Sequence, residues 1–487
     1  MRGLLLTIAL AFAALPAAAN GDPTSTLELE LPGRVRDVQR VSGPGFDDLY
    51  LLSETTSADE SEEDTWELRR VRLGAGEQQI LGTLETDQRP KLELLIDADD
   101  QRLAVLADGA LHVVGGDHAQ LPPAVLSTDP GVELVVHDRS PWAAVADIGE
   151  VVLFDLGPVF EGGEPRELSR ATTPVEADPR RSALELSSPP LSAVVRPGRG
   201  PAFAVGPQVL GNLRLRTQFV DETSQPGPLR AVGPEDSETE ASETEGAEAV
   251  PVYWGMLPGV ERLERSFFFE HDGRLVLGAV TLRADRQGIL ERKKLRLFDL
   301  ERDRTRTGAR PFFERLTASR MWQGLQVKLA DYDGDGRRDL ALLQPEGMGG
   351  GKLVLDLFAA EGSGFSERAR RYVIKESEAW MSMSTDWTGD DIADVLVRAG
   401  NEVRAYSIAG RPAKRPLSKP DWSLAFPEAQ RPEGLDEDDN PRWRVYSSAG
   451  ALVLSTQYRG ELDGDSDGEV VEGPVALRVV LAPTANG

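Results

Sequence analysis

The sequence predicts an all-β chain in which one small antiparallel sheet recurs many times. Three observations point there. Segments of strand, short polar turn and strand recur along the whole length. Gly and Pro, 48 and 33 of 487 residues, supply turns throughout, and these two residues punctuate regular structure most strongly. No sustained heptad or amphipathic helical run interrupts the pattern.

In chain order the hairpins are RDVQRVSGPGFDDLYLL (36–52), LELLIDADDQRLAVLADGALHVV (92–114), VELVVHDRSPWAAVADIGEVVLFDL (132–156), LSAVVRPGRGPAFAVG (191–206), SFFFEHDGRLVLGAV (266–280), the segments 325–358 and 380–408, and RWRVYSSAGALVLSTQ (442–457). The second and third are parallel in layout, with Asp97 and Asp138 in like places. A strand-rich unit repeated at this spacing cannot bury its faces alone, so the units must stack. The expected architecture is a β-propeller of eight blades, each a four-stranded antiparallel sheet. Seven blades would follow if 191–206 or 266–280 did not open one. The last blade offers only three strands, RWRVYSSAG, ALVLSTQYRG and PVALRVVLA. The early segment STLELELPG is a lone alternating strand. It is expected to complete that blade by pairing N- and C-terminal strands, which removes the open edge a sheet must otherwise protect. Length alone would suggest two or three domains. A propeller instead makes residues 24–484 one closed domain, its core spread between blades.

The first residues read as a secretory signal over 1–19. Arg2 supplies charge, Leu4 to Leu15 the apolar core, and Ala17, Ala18 and Ala19 a small-residue cleavage site. That apolar run is short for a bilayer span, so no transmembrane segment is expected. The chain is read as exported, to a periplasmic, cell-surface or extracellular place. It holds no Cys, so packing must do what disulfides do elsewhere.

The most informative stretch is DYDGDGRRDLALL, beginning at Asp331. Asp331, Asp333, Asp335 and Asp339 stand at positions 1, 3, 5 and 9 of one tight loop, and Arg337 offers its carbonyl at position 7. A hard cation such as Ca²⁺ takes about six to eight oxygen ligands at about 2.3–2.6 Å. Alternate carboxylates in a turning backbone supply them, and Gly334 and Gly336 let the chain turn. Position 12 is Leu342 and the flanks GLQVKLA and DLALLQP read as strands, so this is a hairpin tip and not an EF-hand, which needs Glu at position 12 and flanking helices. The pattern returns at Asp386, Thr388, Asp390, Ile392 (through its carbonyl) and Asp394, between AWMSMST and DVLVRAG. There Thr388 replaces a charged ligand, and Asp391 stands where Gly336 did, in a place that calls for left-handed backbone. A weaker site is expected. Asp463, Asp465 and Asp467 begin the same pattern, but Val471 lacks the closing carboxylate. That loop is read as a polar hairpin tip, with calcium as the alternative.

These two loops resemble the FG-GAP or VCBS repeat, the calcium-loop repeat of integrin-α-like β-propellers. The family pattern runs roughly D-x-D-G-D-G-x-x-D-hydrophobic with a strand on each side. Residues 325–358 and 380–408 match it; the rest of the chain matches faintly. The resemblance implies a propeller whose hairpins each open a blade, in an extracellular or periplasmic setting. It implies no particular ligand.

The formal charge of −27 argues against nucleic acid or anionic lipid as partners. Much of it lies in PEDSETEASETEGAEA, within an acidic, low-complexity insertion at 231–249 expected to be disordered, and in the acidic stretches 55–66 and 431–442. These read as solvated loops. The four histidines, His112, His118, His137 and His271, form no HExxH-type pair, and there is no nucleophile elbow, P-loop or dinucleotide fingerprint. His271 and Trp387 read as structural loop positions. No catalytic or cofactor-binding residue other than the Ca²⁺ ligands is singled out. The function read from the sequence is a monomeric, calcium-binding recognition or adhesion scaffold for an unknown protein or glycan. The alternative is a propeller-type polysaccharide lyase or glycoside hydrolase with its site in the central channel.

Overall fold

The computed structural model describes residues 26–482 except for a number of segments, of which 56–64, 115–123, 173–190, 223–251, 301–310, 317–324 and 462–469 are the longest. Residues 1–19, read above as an export signal, the insertion 231–249, most of the acidic stretch 55–66 and the loop of Asp463, Asp465 and Asp467 lie outside the described residues.

The chain forms an eight-bladed propeller of antiparallel sheets. The first strands of the blades are Arg34–Gly43, Lys91–Asp97, Glu133–Val136, Leu191–Arg196, Glu261–His271, Gln326–Ala330, Ala379–Trp380 and Arg442–Ser448. Each of the eight expected hairpins opens one blade, 191–206 and 266–280 included. First strands of neighbouring blades lie against each other on the inside of the ring, as Arg34–Gly43 does with both Lys91–Asp97 and Arg442–Ser448.

Alternation along the strand explains why the second strands are apolar throughout. Successive side chains point to opposite sheet faces, and here each face meets another blade. In the second strand of blade 8, Ala451 and Val453 pack toward blade 1 while Leu452 and Leu454 pack toward blade 7. Ala143 and Val145 of blade 3 face blade 2, and Ala144 and Ala146 face blade 4. Leu340 and Leu342 of blade 6 face blade 5, and Ala341 and Leu343 face blade 7. Among the described residues there are eight hydrophobic clusters, and each spans one pair of neighbouring blades.

The eighth seam closes the ring. Thr26–Leu31 pairs antiparallel with Val475–Leu481, Leu29 opposite Leu477, and becomes the fourth strand of blade 8. Leu29 and Leu31 join Val453 and Leu477 against Val38, Leu49 and Leu51 of blade 1.

Two details depart from a plain four-stranded repeat. Pro416–Leu417 adds a parallel fifth strand to blade 6, beside Arg370–Lys375. A short helix, Gly157–Phe160, drops Val159 and Phe160 into the seam between blades 2 and 3. No helix among the described residues is long and apolar enough to cross a membrane.

Leu31 is buried where the chain's ends meet. Leu31→Ala should lower the unfolding free energy by about 2–5 kcal/mol, the usual range for a buried Leu→Ala change, in urea denaturation. A loss below about 1 kcal/mol would mean that the terminal strand does not hold the ring.

Candidate metal centre

The loop 331–339 joins the first two strands of blade 6, Gln326–Ala330 and Asp339–Pro345, and 386–394 precedes Val395–Ala399 of blade 7. Strand Ala379–Trp380 lies upstream of the second loop, and 381–384 lie outside the described residues.

Asp331 organises its loop. Its Oδ1 accepts the N–H groups of Asp333 and Gly334 at 3.3 and 2.7 Å, and its Oδ2 accepts that of Gly336 at 2.7 Å. Asp386 does the same in the second loop, accepting from Thr388 and Gly389 at 3.0 and 2.6 Å and from Asp391 at 2.7 Å. This wrapping needs left-handed backbone at positions 4 and 6. Gly334 and Gly336 provide it with φ of 83° and 80°, and Gly389 and Asp391 with 79° and 62°. Asp391 therefore adopts the conformation of its glycine counterpart, which Asp tolerates better than most residues.

The second residue of each loop is a plug. Tyr332 is fully buried in the seam between blades 6 and 7. Trp387 enters the seam between blades 7 and 8 and stacks on Trp422 at 6.0 Å. The loops also touch each other. The N–H of Ala393 donates to the carbonyl of Asp331 at 2.9 Å, and a Cβ at Gly334 would meet Ile392 Cδ1 at 2.9 Å.

The structure brings Asp331, Asp333 and Asp335 together: one oxygen from each lies within 4.8 Å of the others. Two unit charges so spaced repel by about 3 kcal/mol at an effective dielectric constant of about 20, and less where water screens them. Asp335 Oδ1 is held by the N–H of Arg337 at 2.8 Å. Asp333 Oδ1 is buried with no hydrogen-bond partner, while its Oδ2 is ion-paired with Arg370. An all-oxygen donor set with one unpartnered buried oxygen fits a hard cation such as Ca²⁺. Among the described residues this is the one such group; the carboxylates of Asp386, Asp390 and Asp394 are not gathered as closely. Thr388 takes the third position there, and Asp390 accepts from the Ile392 N–H at 3.1 Å and from the Ser407 hydroxyl at 2.8 Å.

The ninth residues lie beneath the loops. Asp339 is fully buried, and its two oxygens accept the N–H groups of Tyr332 at 3.2 Å and Ala360 at 2.9 Å. Burial, then the charges of Asp333 and Asp335, lift its pKa to about 6 against the pull of those N–H groups. Asp394 is also fully buried. One of its oxygens accepts from both Trp387 and Thr388 N–H, at 2.6 and 2.8 Å, and the other faces the Thr388 hydroxyl at 3.3 Å. Burial and the neighbouring Asp386 and Asp390 raise it to about 7.

Sequence reasoning missed the arginines. Arg370 comes from the fourth strand of blade 6. The Arg337 side chain turns outward to Asp272 of blade 5 at 3.0 Å and to the carbonyls of Ala360 and Gly362. His271, beside Asp272, is buried and stacks on Phe365 at 4.4 Å, which is the structural role expected of it.

No protein-family model matches the chain, and no curated protein matches it in sequence. Among solved structures it is similar to the WD40 domain of SCAP from fission yeast, at 10% identity and a TM-score of 0.47, over 93% of this chain and 97% of that one.

Two substitutions separate the buried carboxylates. Asp394→Asn keeps every bond, since one amide oxygen accepts both N–H groups and the amide nitrogen donates to Thr388. At about pH 5, where that carboxyl is protonated, it should leave the calcium-free melting temperature nearly unchanged. Asp339→Asn sets an amide N–H₂ against a backbone N–H and should cost about 1–3 kcal/mol. Equal losses in thermal melts would refute this account of the two sites.

The Asp394 carboxyl binds its proton more tightly folded than unfolded, because its folded pKa of about 7 exceeds the ordinary value of about 3.9. It therefore costs stability above its folded pKa, and acidification relieves that cost. In chelator, the stability of the natural chain relative to Asp394→Asn should rise as pH falls from about 8 to about 5. A flat difference would contradict the buried, charged carboxylate.

Proposed function

We propose that this protein is an exported calcium-binding β-propeller that serves as a recognition or adhesion scaffold for protein or glycan, with calcium stabilising the hairpin loops of blades 6 and 7. The observation that carries the reading is the gathering of Asp331, Asp333 and Asp335 around an unpartnered, buried Asp333 oxygen. The likeness of both loops to the FG-GAP or VCBS repeat supports it. So does the apolar N-terminal run with its small-residue cleavage pattern. A rigid ring presents its loops without distortion, which suits recognition by loops. The net charge of −27 favours cationic or neutral partners over polyanions.

Calorimetric titration with calcium should find two sites per chain. Asp333→Ala should remove one and Asp390→Ala the other. Each site filled at ten times its Kd adds about 1.4 kcal/mol, so melting should rise in calcium and fall in chelator. No heat and no shift in melting would sink the reading. Binding to immobilised proteins and glycans, compared in calcium and in chelator, then tests the scaffold role.

A further inference from the structure

We propose that Arg370 is a tethered counter-ion that sets the calcium affinity of the loop 331–339. The inference rests on the calcium reading of that loop and adds to it a residue outside the motif.

Arg370 projects from Arg370–Lys375, the fourth strand of blade 6, and its guanidinium pairs with Asp333 Oδ2. Asp333 Oδ1 is left buried and without a hydrogen bond. The carboxylate is thus divided, one oxygen neutralised by a side chain and the other available to a cation. The second loop lacks this arrangement. Thr388 occupies the corresponding position, and among the described residues Asp386, Asp390 and Asp394 make no ion pair with Lys or Arg. Across positions 1, 3 and 5 both loops then carry two net negative charges, one by using threonine and the other by pairing its extra aspartate with Arg370.

Charge count is a main determinant of calcium affinity in such loops. With no cation bound, the guanidinium relieves repulsion among three crowded carboxylates. A divalent ion arriving at Oδ1 must share Asp333 with that guanidinium, which weakens its binding. The Arg370 side chain is 42% exposed and sits on a long flexible stem, so it can yield part of its contact without breaking the core. The two consequences have opposite signs. Arg370 stabilises the calcium-free loop and lowers its affinity for the ion. General damage to the loop would lower both stability and affinity together.

The test uses the full chain carrying Asp390→Ala, so that the first loop titrates alone. Calcium chloride is titrated by calorimetry, and melting is followed in chelator. Arg370→Gln should tighten calcium binding on the order of fivefold, the scale of a partly exposed ion pair, and should lower the melting temperature in chelator. Arg370→Lys, which keeps the charge, should bind calcium close to the parent. Arg370→Met is held to the same signs if the glutamine variant does not fold. Unchanged or weaker binding in Arg370→Gln, with the parent still binding calcium, overturns the inference and leaves the calcium reading standing. A parent chain that binds no calcium overturns both.

Discussion

Closure of the ring is the constraint on which the rest of this structure depends. Each blade has two apolar faces, and neither can be left in water without losing roughly 25 cal/mol for every Å² exposed. Stacking blades in a row would leave two faces bare at the ends. Eight seams for eight blades means that none is bare, and the seam between blades 8 and 1 is as apolar as the others. That seam exists because Leu29 and Leu31 arrive from one end of the described chain and Val475, Leu477 and Val479 from the other. The apolar runs ALVL, AAVA and LALL are products of the same constraint, since every second strand must satisfy two neighbours at once.

The hairpin loops are part of the seams and do not merely cap them. Tyr332 and Trp387 each drive a ring from a loop into the space before the next blade. Other seams use other rings at similar places. His137 bonds the carbonyl of Val194 in the following blade at 2.9 Å, and His271 lies on Phe365 of blade 6. Any ion bound by Asp331, Asp333 and Asp335 would therefore act on a segment already anchored between blades. The bond from Ala393 to Asp331 joins the two loops across one seam.

Local features were legible in the sequence, and of the features that join distant segments only ring closure was. The hairpins were legible because turn chemistry and strand alternation occupy neighbouring residues. Closure was legible because a lone strand at one end matched a missing strand at the other. The left-handed backbone of Asp391 followed from its alignment with Gly336. Arg370 was not legible: it lies in another strand of its blade, and nothing near it in the chain marks it as a partner of Asp333. Asp339 and Asp394 read as ligands because they fill the ninth position of a known pattern. Their full burial, and the backbone N–H groups they bind, come from the way each loop folds over its own closing residue. The parallel strand Pro416–Leu417 was likewise invisible, being two residues borrowed by a neighbouring blade.

The pairing of Thr26–Leu31 with Val475–Leu481 also orders events in time. Blades 1 to 7 each draw their antiparallel strands from one stretch of chain, Pro416–Leu417 being lent by the blade 7 stretch to blade 6, and can assemble as they emerge. Blade 8 cannot, because its outer strand is made first and its other strands last. Until the late strands appear, the early one has no partner and the ring stays an open arc with two greasy ends. Contacts between residues so far apart in the chain form slowly, because a long loop must close before they reward it. The seam between blades 8 and 1 is therefore the last to form, and until it does the chain is not yet a ring.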